Sequence, residues 1–225
     1  MIVKPPNRLC NALKVVVAGV ALLVSASASA TLFHGVEFPG GVASFADSAV
    51  SYDPSFSGGT IPSPAYRDAT QALGAPNYPE GAHPAYVSLG SGGRIVLRFT
   101  DNSLTGSGST ALDLWIFEIG GDVEDTFVDI SKDGSTWFSV GKVFGSTAGI
   151  DIDAFGYGPT DFFSFIRLTD DPAEGSTSGA TVGADIDAVG AITTAPPVGV
   201  PEPSTLALLA IGAAAAAYRR RKPVI

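Results

Sequence analysis

The chain is 225 residues long, with 22 acidic and 13 basic side chains, two histidines and one cysteine. Its formal charge of −9 at pH 7 excludes nucleic acid as a natural partner, because like charges repel. With only His34, His83 and Cys10 to draw on, a zinc site, a Ser-His-Asp triad and a disulfide framework lack material.

The N-terminus places Lys4, Arg8 and Lys14 before the apolar run Val15 to Val24, followed by the small residues Ala28-Ser29-Ala30. Basic start, short greasy centre and small-residue end make residues 1–30 a secretory signal peptide, cut by signal peptidase beside Ala28 and Ala30. The mature chain then starts at Thr31 and loses Cys10, so it has no thiol chemistry. Residues 31–200 carry 21 of the 22 acids and the six cations Arg67, Arg94, Arg98, Lys132, Lys142 and Arg167, which gives 6 − 21 = −15. Such acidity suits an exported, calcium-bathed environment, and it also serves plain solubility.

The first element in the mature part is a short helix over Pro64 to Leu73, closed by Gly74. Arg94 to Thr100 alternates, with Ile95, Leu97 and Phe99 on one face, and reads as a half-buried strand. Leu112 to Ile119 is more continuously apolar, as a central strand is. Thr126 to Lys132 and Trp137 to Val143 flank Asp133-Gly134-Ser135-Thr136, a hairpin turn with its glycine. Phe162 to Thr169 and Asp185 to Ile192 complete an all-β sandwich over residues 31–192. Gly90-Ser91-Gly92-Gly93 joins two strands, opens no helix and lacks a lysine, so it is no phosphate loop. Residues 193–199, Thr-Thr-Ala-Pro-Pro-Val-Gly, form a stiff linker.

The tail over residues 200–223 sets Pro201-Glu202-Pro203 before the uncharged stretch Leu206 to Tyr218 and the cluster Arg219, Arg220, Arg221 and Lys222. An uncharged helix satisfies its own backbone in lipid, and the basic cluster holds its end in the cytoplasm. The 13 residues Leu206 to Tyr218 reach about 20 Å against a hydrocarbon core of about 30 Å, so the transmembrane segment takes in residues 204–218 and snorkelling arginine. This order of motif, helix and cations resembles the PEP-CTERM sorting tail, which an exosortase recognises in the inner membrane. A plain C-terminal anchor is the competing reading.

A second resemblance rests on an ordered series: Ala72-Leu73-Gly74-Ala75-Pro76-Asn77, Val87-Ser88-Leu89-Gly90, Arg94 to Phe99, Leu114 to Glu118, Ser131 to Gly134, Ile166 to Asp170 and Ala184 to Val189. Residues 45–192 are similar in layout to the galactose-binding-like, or discoidin-like, jelly roll of carbohydrate-binding modules. Its implied fold is a jelly-roll β-sandwich flanked by the signal helix and the transmembrane helix. The loop Tyr78 to Pro84 lacks the tryptophan that many sugar-binding relatives carry. The resemblance also implies a structural calcium ion, Ca2+, whose matching positions are Asp68, Asn77, Asp185 and Asp187. Asp185 and Asp187 flank Ile186 and share a strand face, where two like charges call for a cation or an arginine such as Arg67, Arg98 or Arg167.

Glu118, Asp122, Glu124 and Asp125 cluster at the end of the Trp115 strand, where Gly120-Gly121 permits a tight loop with oxygens folded inward; the commoner reading of such a group is a solvated loop. Trp115, Trp137, Phe127, Phe163 and Phe165 fall in strands and read as core, whereas Tyr52, Phe56, Tyr66, Tyr78 and Tyr86 suit packing or sugar stacking equally. The expected whole is an exported cell-surface or extracellular-matrix protein, handled by signal peptidase, exosortase and inner membrane, whose non-catalytic sandwich binds exopolysaccharide. A purely structural matrix protein and a secreted glycoside hydrolase are the alternatives.

Overall fold

In the computed structural model, the described residues are 30–81, 84–119 and 124–197. The signal segment with Ala28, the motif Pro201-Glu202-Pro203, the transmembrane segment and the cluster Arg219, Arg220, Arg221 and Lys222 lie outside them. Among the described residues no helix is long and apolar enough to cross a membrane.

Two antiparallel sheets enclose one core. The strands are β1 (Thr31–Phe33), β2 (Val36–Phe38), β3 (Ser48–Asp53), β4 (Val87–Ser88), β5 (Arg94–Arg98), β6 (Ser103–Leu104) and β7 (Leu114–Glu118). They continue with β8 (Thr126–Ser131), β9 (Phe138–Val143), β10 (Thr147–Ile150), β11 (Phe165–Asp170), β12 (Asp185–Ala191) and β13 (Thr194–Ala195). One sheet runs β3-β5-β11-β8-β9 and the other β10-β7-β12-β4. Ile95 and Leu97 of β5, Val128 and Ile130 of β8, and Ile166 and Leu168 of β11 meet Leu114 and Ile116 of β7 and Ile186 and Val189 of β12 in one buried cluster. Alternation drives this packing: every second residue of β5, β8 and β11 is apolar, so one face of the five-stranded sheet must find an apolar partner. All six strands expected from the sequence form, and the all-β sandwich is the fold.

The far face of the four-stranded sheet is covered too. The hairpin β1–β2 brings Phe33 and Phe38 onto Phe45, Phe117 and Ala188, with ring centroids of Phe38 and Phe45 4.7 Å apart. Gly190 makes room for them, because a Cβ there would lie 2.7 Å from Phe38 and 2.8 Å from Phe45. With both its faces buried, β12 shows no exposed residue along its length.

Two stretches depart from expectation: Thr194–Ala195, within the expected linker 193–199, pair with β6 as β13, and the expected helix is broken. The helix over Pro64 to Leu73 is two separate 3-10 turns, Pro64–Tyr66 and Ala69–Ala72. Asp68 divides them: its carboxylate accepts from the Thr70 amide at 3.0 Å and the Thr70 hydroxyl at 2.6 Å, which favours a cap over a continuing helix.

Candidate functional site

The outer face of the five-stranded sheet is where the arginines gather. Antiparallel register aligns Asp53, Arg94, Thr169 and Phe127 in one row across β3, β5, β11 and β8. The next row is Ser51, Val96, Arg167 and Asp129, and Arg98 sits opposite Phe165 in the third. Cross-strand neighbours on one face stand about 5 Å apart, so this register alone builds a patch of arginine, carboxylate and ring.

Aromatic side chains from two loops close the patch into a groove of about 390 Å³, lined by Val50, Asp53, Phe56, Arg94, Trp137 and Arg167 among others. The guanidinium of Arg94 lies 3.5 Å from the Phe56 ring centre, and that of Arg167 lies 4.3 Å from Trp137. Arg167 is fixed further by Asp129, whose Oδ2 accepts from both Nε and Nη2 at 2.9 Å. Burial, then the positive charge of Arg167, lowers the pKa of Arg94, which stays a cation as arginines do.

Local sequence explains how the two rings are presented. Phe56 rides on residues 54–60, which lie directly against residues 89–93. Gly90, at φ +87°, permits that approach: a Cβ would stand 2.3 Å from the Pro54 carbonyl oxygen. The Ser57 hydroxyl donates to the Gly92 carbonyl at 2.8 Å and the Ser91 amide to Thr60 at 2.9 Å, pinning the loop. On the opposite side the Asp133-Gly134 turn leads into Trp137. Asp133 accepts from the amides of Ser135 and Thr136, both at 2.8 Å, and those bonds hold its carboxyl well below the ordinary carboxylate range.

Trp137, Phe127 and Phe165 therefore correct the reading of strand aromatics as core. Phe163 is fully buried, but Phe127 is 42% exposed and Trp137 and Phe165 are half-buried. Phe127 and Phe165 share the strand parity of Asp129 and Arg167, which face out, and Trp137 sits just before β9. Of the loop aromatics, Phe56 alone belongs to the groove. Tyr66 stacks on Tyr86 at 5.5 Å, Tyr78 meets Tyr86 edge-on at 6.0 Å, and the Tyr52 hydroxyl donates to the Ser88 carbonyl.

The acidic group after β7 is a second correction. Glu118 is 3% exposed and Glu124 4% exposed, so neither belongs to a solvated loop; Asp122 lies outside the described residues. Glu118 ends β7 opposite Ile186 in the sheet interior, and it accepts from the Glu124 amide at 3.2 Å. Gly175 presses against Glu124 so closely that a Cβ would lie 2.0 Å from its Cγ. Burial drives the Glu118 pKa far above the ordinary carboxylate range, and neighbouring Glu124 and Asp185 add to it. Asp125 instead pairs with Lys142, which also reaches Asp171 at 3.0 Å.

The four positions matched to calcium have these surroundings. Asp185 is buried and accepts from the Ser88 hydroxyl, and burial pushes its pKa up to about 7. Asp187 is also buried and accepts from the backbone amides of Asn77 and Tyr78 at 3.1 and 3.2 Å, so it meets Asn77 through main chain. Exposed Asp68 caps its own turn, and none of its hydrogen bonds reaches the other three. Three other carboxylates, Asp113, Asp151 and Asp153, bring oxygens within 4.8 Å of one another. Asp113 is held there by the Ile152 amide at 3.0 Å and the Thr193 hydroxyl at 2.8 Å.

No curated protein matches the chain. The C-terminal domain of a chitobiase from Bacteroides fragilis aligns at 13% identity and TM-score 0.39, covering 64% of this chain and 91% of that one. CpGH89CBM32-6 from Clostridium perfringens aligns at 11% identity and TM-score 0.32, covering 52% and 82%. The tail is matched directly: residues 199–222 fit the PEP-CTERM protein-sorting motif, the mark of an exported protein sorted by an exosortase.

Proposed function

We propose that the exported sandwich is a non-catalytic module that binds surface polysaccharide in the groove between Phe56 and Trp137. The observation that carries this reading is the placing of two aromatic rings, presented by loops, over arginine and carboxylate groups of one sheet face. Sugar rings offer apolar C–H faces that pack on aromatic rings, and their hydroxyl groups take hydrogen bonds from planar, preorganised donors and acceptors. The groove volume of about 390 Å³ suits one or two sugar units of a longer chain. Signal peptidase and exosortase deliver the protein through the inner membrane to the cell surface or matrix. The buried acids Glu118, Asp170 and Asp185 serve packing in this proposal.

A glycan array probed with the mature protein and with Trp137→Ala tests it. Retention of a polysaccharide by the wild type, lost on truncating Trp137, is the expected result. Retention unchanged by that truncation would overturn the assignment of the groove, and no retention at all would favour a ligand-free matrix protein. Structural calcium belongs to the same proposal. Its test is a calcium-dependent rise in Tm over EDTA, assigned by whether Asp68→Asn or Asp151→Asn removes it.

A further inference from the structure

We infer that the sugar held in the groove is acidic, its carboxylate or sulfate group gripped by Arg94; this rests on the polysaccharide reading above. Three of the six cations of this very acidic domain are ion-paired, whereas Arg67 donates to the Pro62 carbonyl and Arg98 lies over Phe165, both away from the groove lining. Lys132 pairs with Asp161 at 2.8 Å, Lys142 with Asp125 and Asp171, and Arg167 with Asp129. Arg94 has no carboxylate partner within ion-pair distance among the described residues. Its cross-strand neighbour Asp53 is directly opposite, yet the Asp53 carboxylate accepts instead from the amide and hydroxyl of Ser55 at 3.0 and 2.8 Å.

Arg94 is nonetheless held in place. Its Nε donates to the Thr169 hydroxyl at 3.0 Å and its plane rests on Phe56. That arrangement uses one edge and one face of the guanidinium. The two terminal amino groups are left without a protein acceptor among the described residues, on a side chain that lines the groove. A fixed planar fork with unused donors suits a two-oxygen anion, and it has already lost the rotamer freedom that binding would cost. Arg167 beside it adds positive potential, which together with the larger effect of burial lowers the pKa of Arg94. The formal charge of −15 on residues 31–200 does not oppose this at contact range. With a Debye length of about 8 Å in physiological salt, remote carboxylates are screened whereas a touching Arg94 is not. Asp129 and Asp53 act on Arg94 only from beyond ion-pair distance, so an acidic sugar adds a direct contact that a neutral one does not.

Affinity electrophoresis of the mature protein in gels containing polygalacturonate, dextran sulfate or neutral dextran tests this, with Arg94→Gln, Arg94→Lys and Trp137→Ala alongside. The expected result is retardation by an acidic polymer, weakened about tenfold or more by R94Q and less by R94K, with the fold of each variant checked by its Tm. Retardation by polygalacturonate identifies a carboxylate as the anion, and by dextran sulfate alone a sulfate. If dextran retards the wild type as well as the acidic polymers do, and W137A abolishes it, the polysaccharide reading stands and the acidic one falls. Equal retardation of wild type and R94Q by the acidic polymers also overturns the inference. If no polymer retards the wild type, both readings fall.

Discussion

Asp185 gives the sharpest test of how the interior is built. Its carboxyl is 8% exposed, hydrogen-bonded to Ser88, and pushed up to about 7 by burial, with Glu124 and Asp170 adding repulsion. An unfolded aspartate titrates near about 3.9, so between about pH 4 and about pH 7 the folded state holds a proton that the unfolded state releases. Stability is therefore full below about pH 4 and falls as pH rises towards about 7. The difference between about 7 folded and about 3.9 unfolded sets an upper figure of about 4 kcal/mol. Asp185→Asn imitates the protonated acid and keeps an oxygen for the Ser88 hydroxyl. Urea unfolding followed by tryptophan fluorescence, in EDTA and across about pH 4 to 8, should show the variant matching the wild type at the acid end. At the alkaline end the variant should be more stable by a few kcal/mol. Equal destabilisation at every pH, or wild-type stability that climbs from about pH 4 to about 7, would refute the reasoning.

Two further substitutions probe the scaffold beneath the groove. Gly93→Ala places a Cβ 1.8 Å from the Leu89 carbonyl oxygen, where backbone on both sides cannot yield, so the transition in urea should move by about 3 kcal/mol or abolish folding. Asp170→Ala removes the acceptor for the buried amides of Gly92 at 2.7 Å and Ala184 at 2.8 Å, and two unpaired buried donors should cost about 2–5 kcal/mol in the same measurement. Asp170→Asn, which keeps one acceptor oxygen, should cost less.

The strands that alternate were legible in the sequence, because β5, β8 and β11 put apolar residues at every second position. β3 was not: the register shift between Ala49 and Ser51 breaks its pattern, and none of its residues is fully buried. β10 carries Gly149, which reads as a loop residue but is required where a Cβ would lie 2.8 Å from Leu112 and 3.0 Å from Trp115. The groove has a signal in the sequence. Phe127 shares its strand face with Asp129, and Phe165 with Arg167, so charge at the neighbouring position marks those rings as outward. Trp137 precedes β9, where no period applies, and its place depends on the Asp133 turn. Glu124 is covered by the loop around Gly175 and Glu118 pairs opposite Ile186 of β12, both distant in sequence, and no local pattern foretells either.

The chain has two tryptophans, Trp115 beside the β1–β2 hairpin and Trp137 in the groove, and so two indole N–H signals in a nitrogen–proton correlation spectrum. Titrating polygalacturonate into the labelled mature protein separates them. Binding in the groove predicts that the Trp137 signal moves in proportion to saturation while Trp115 stays; movement of Trp115 alone, or of neither, would contradict it.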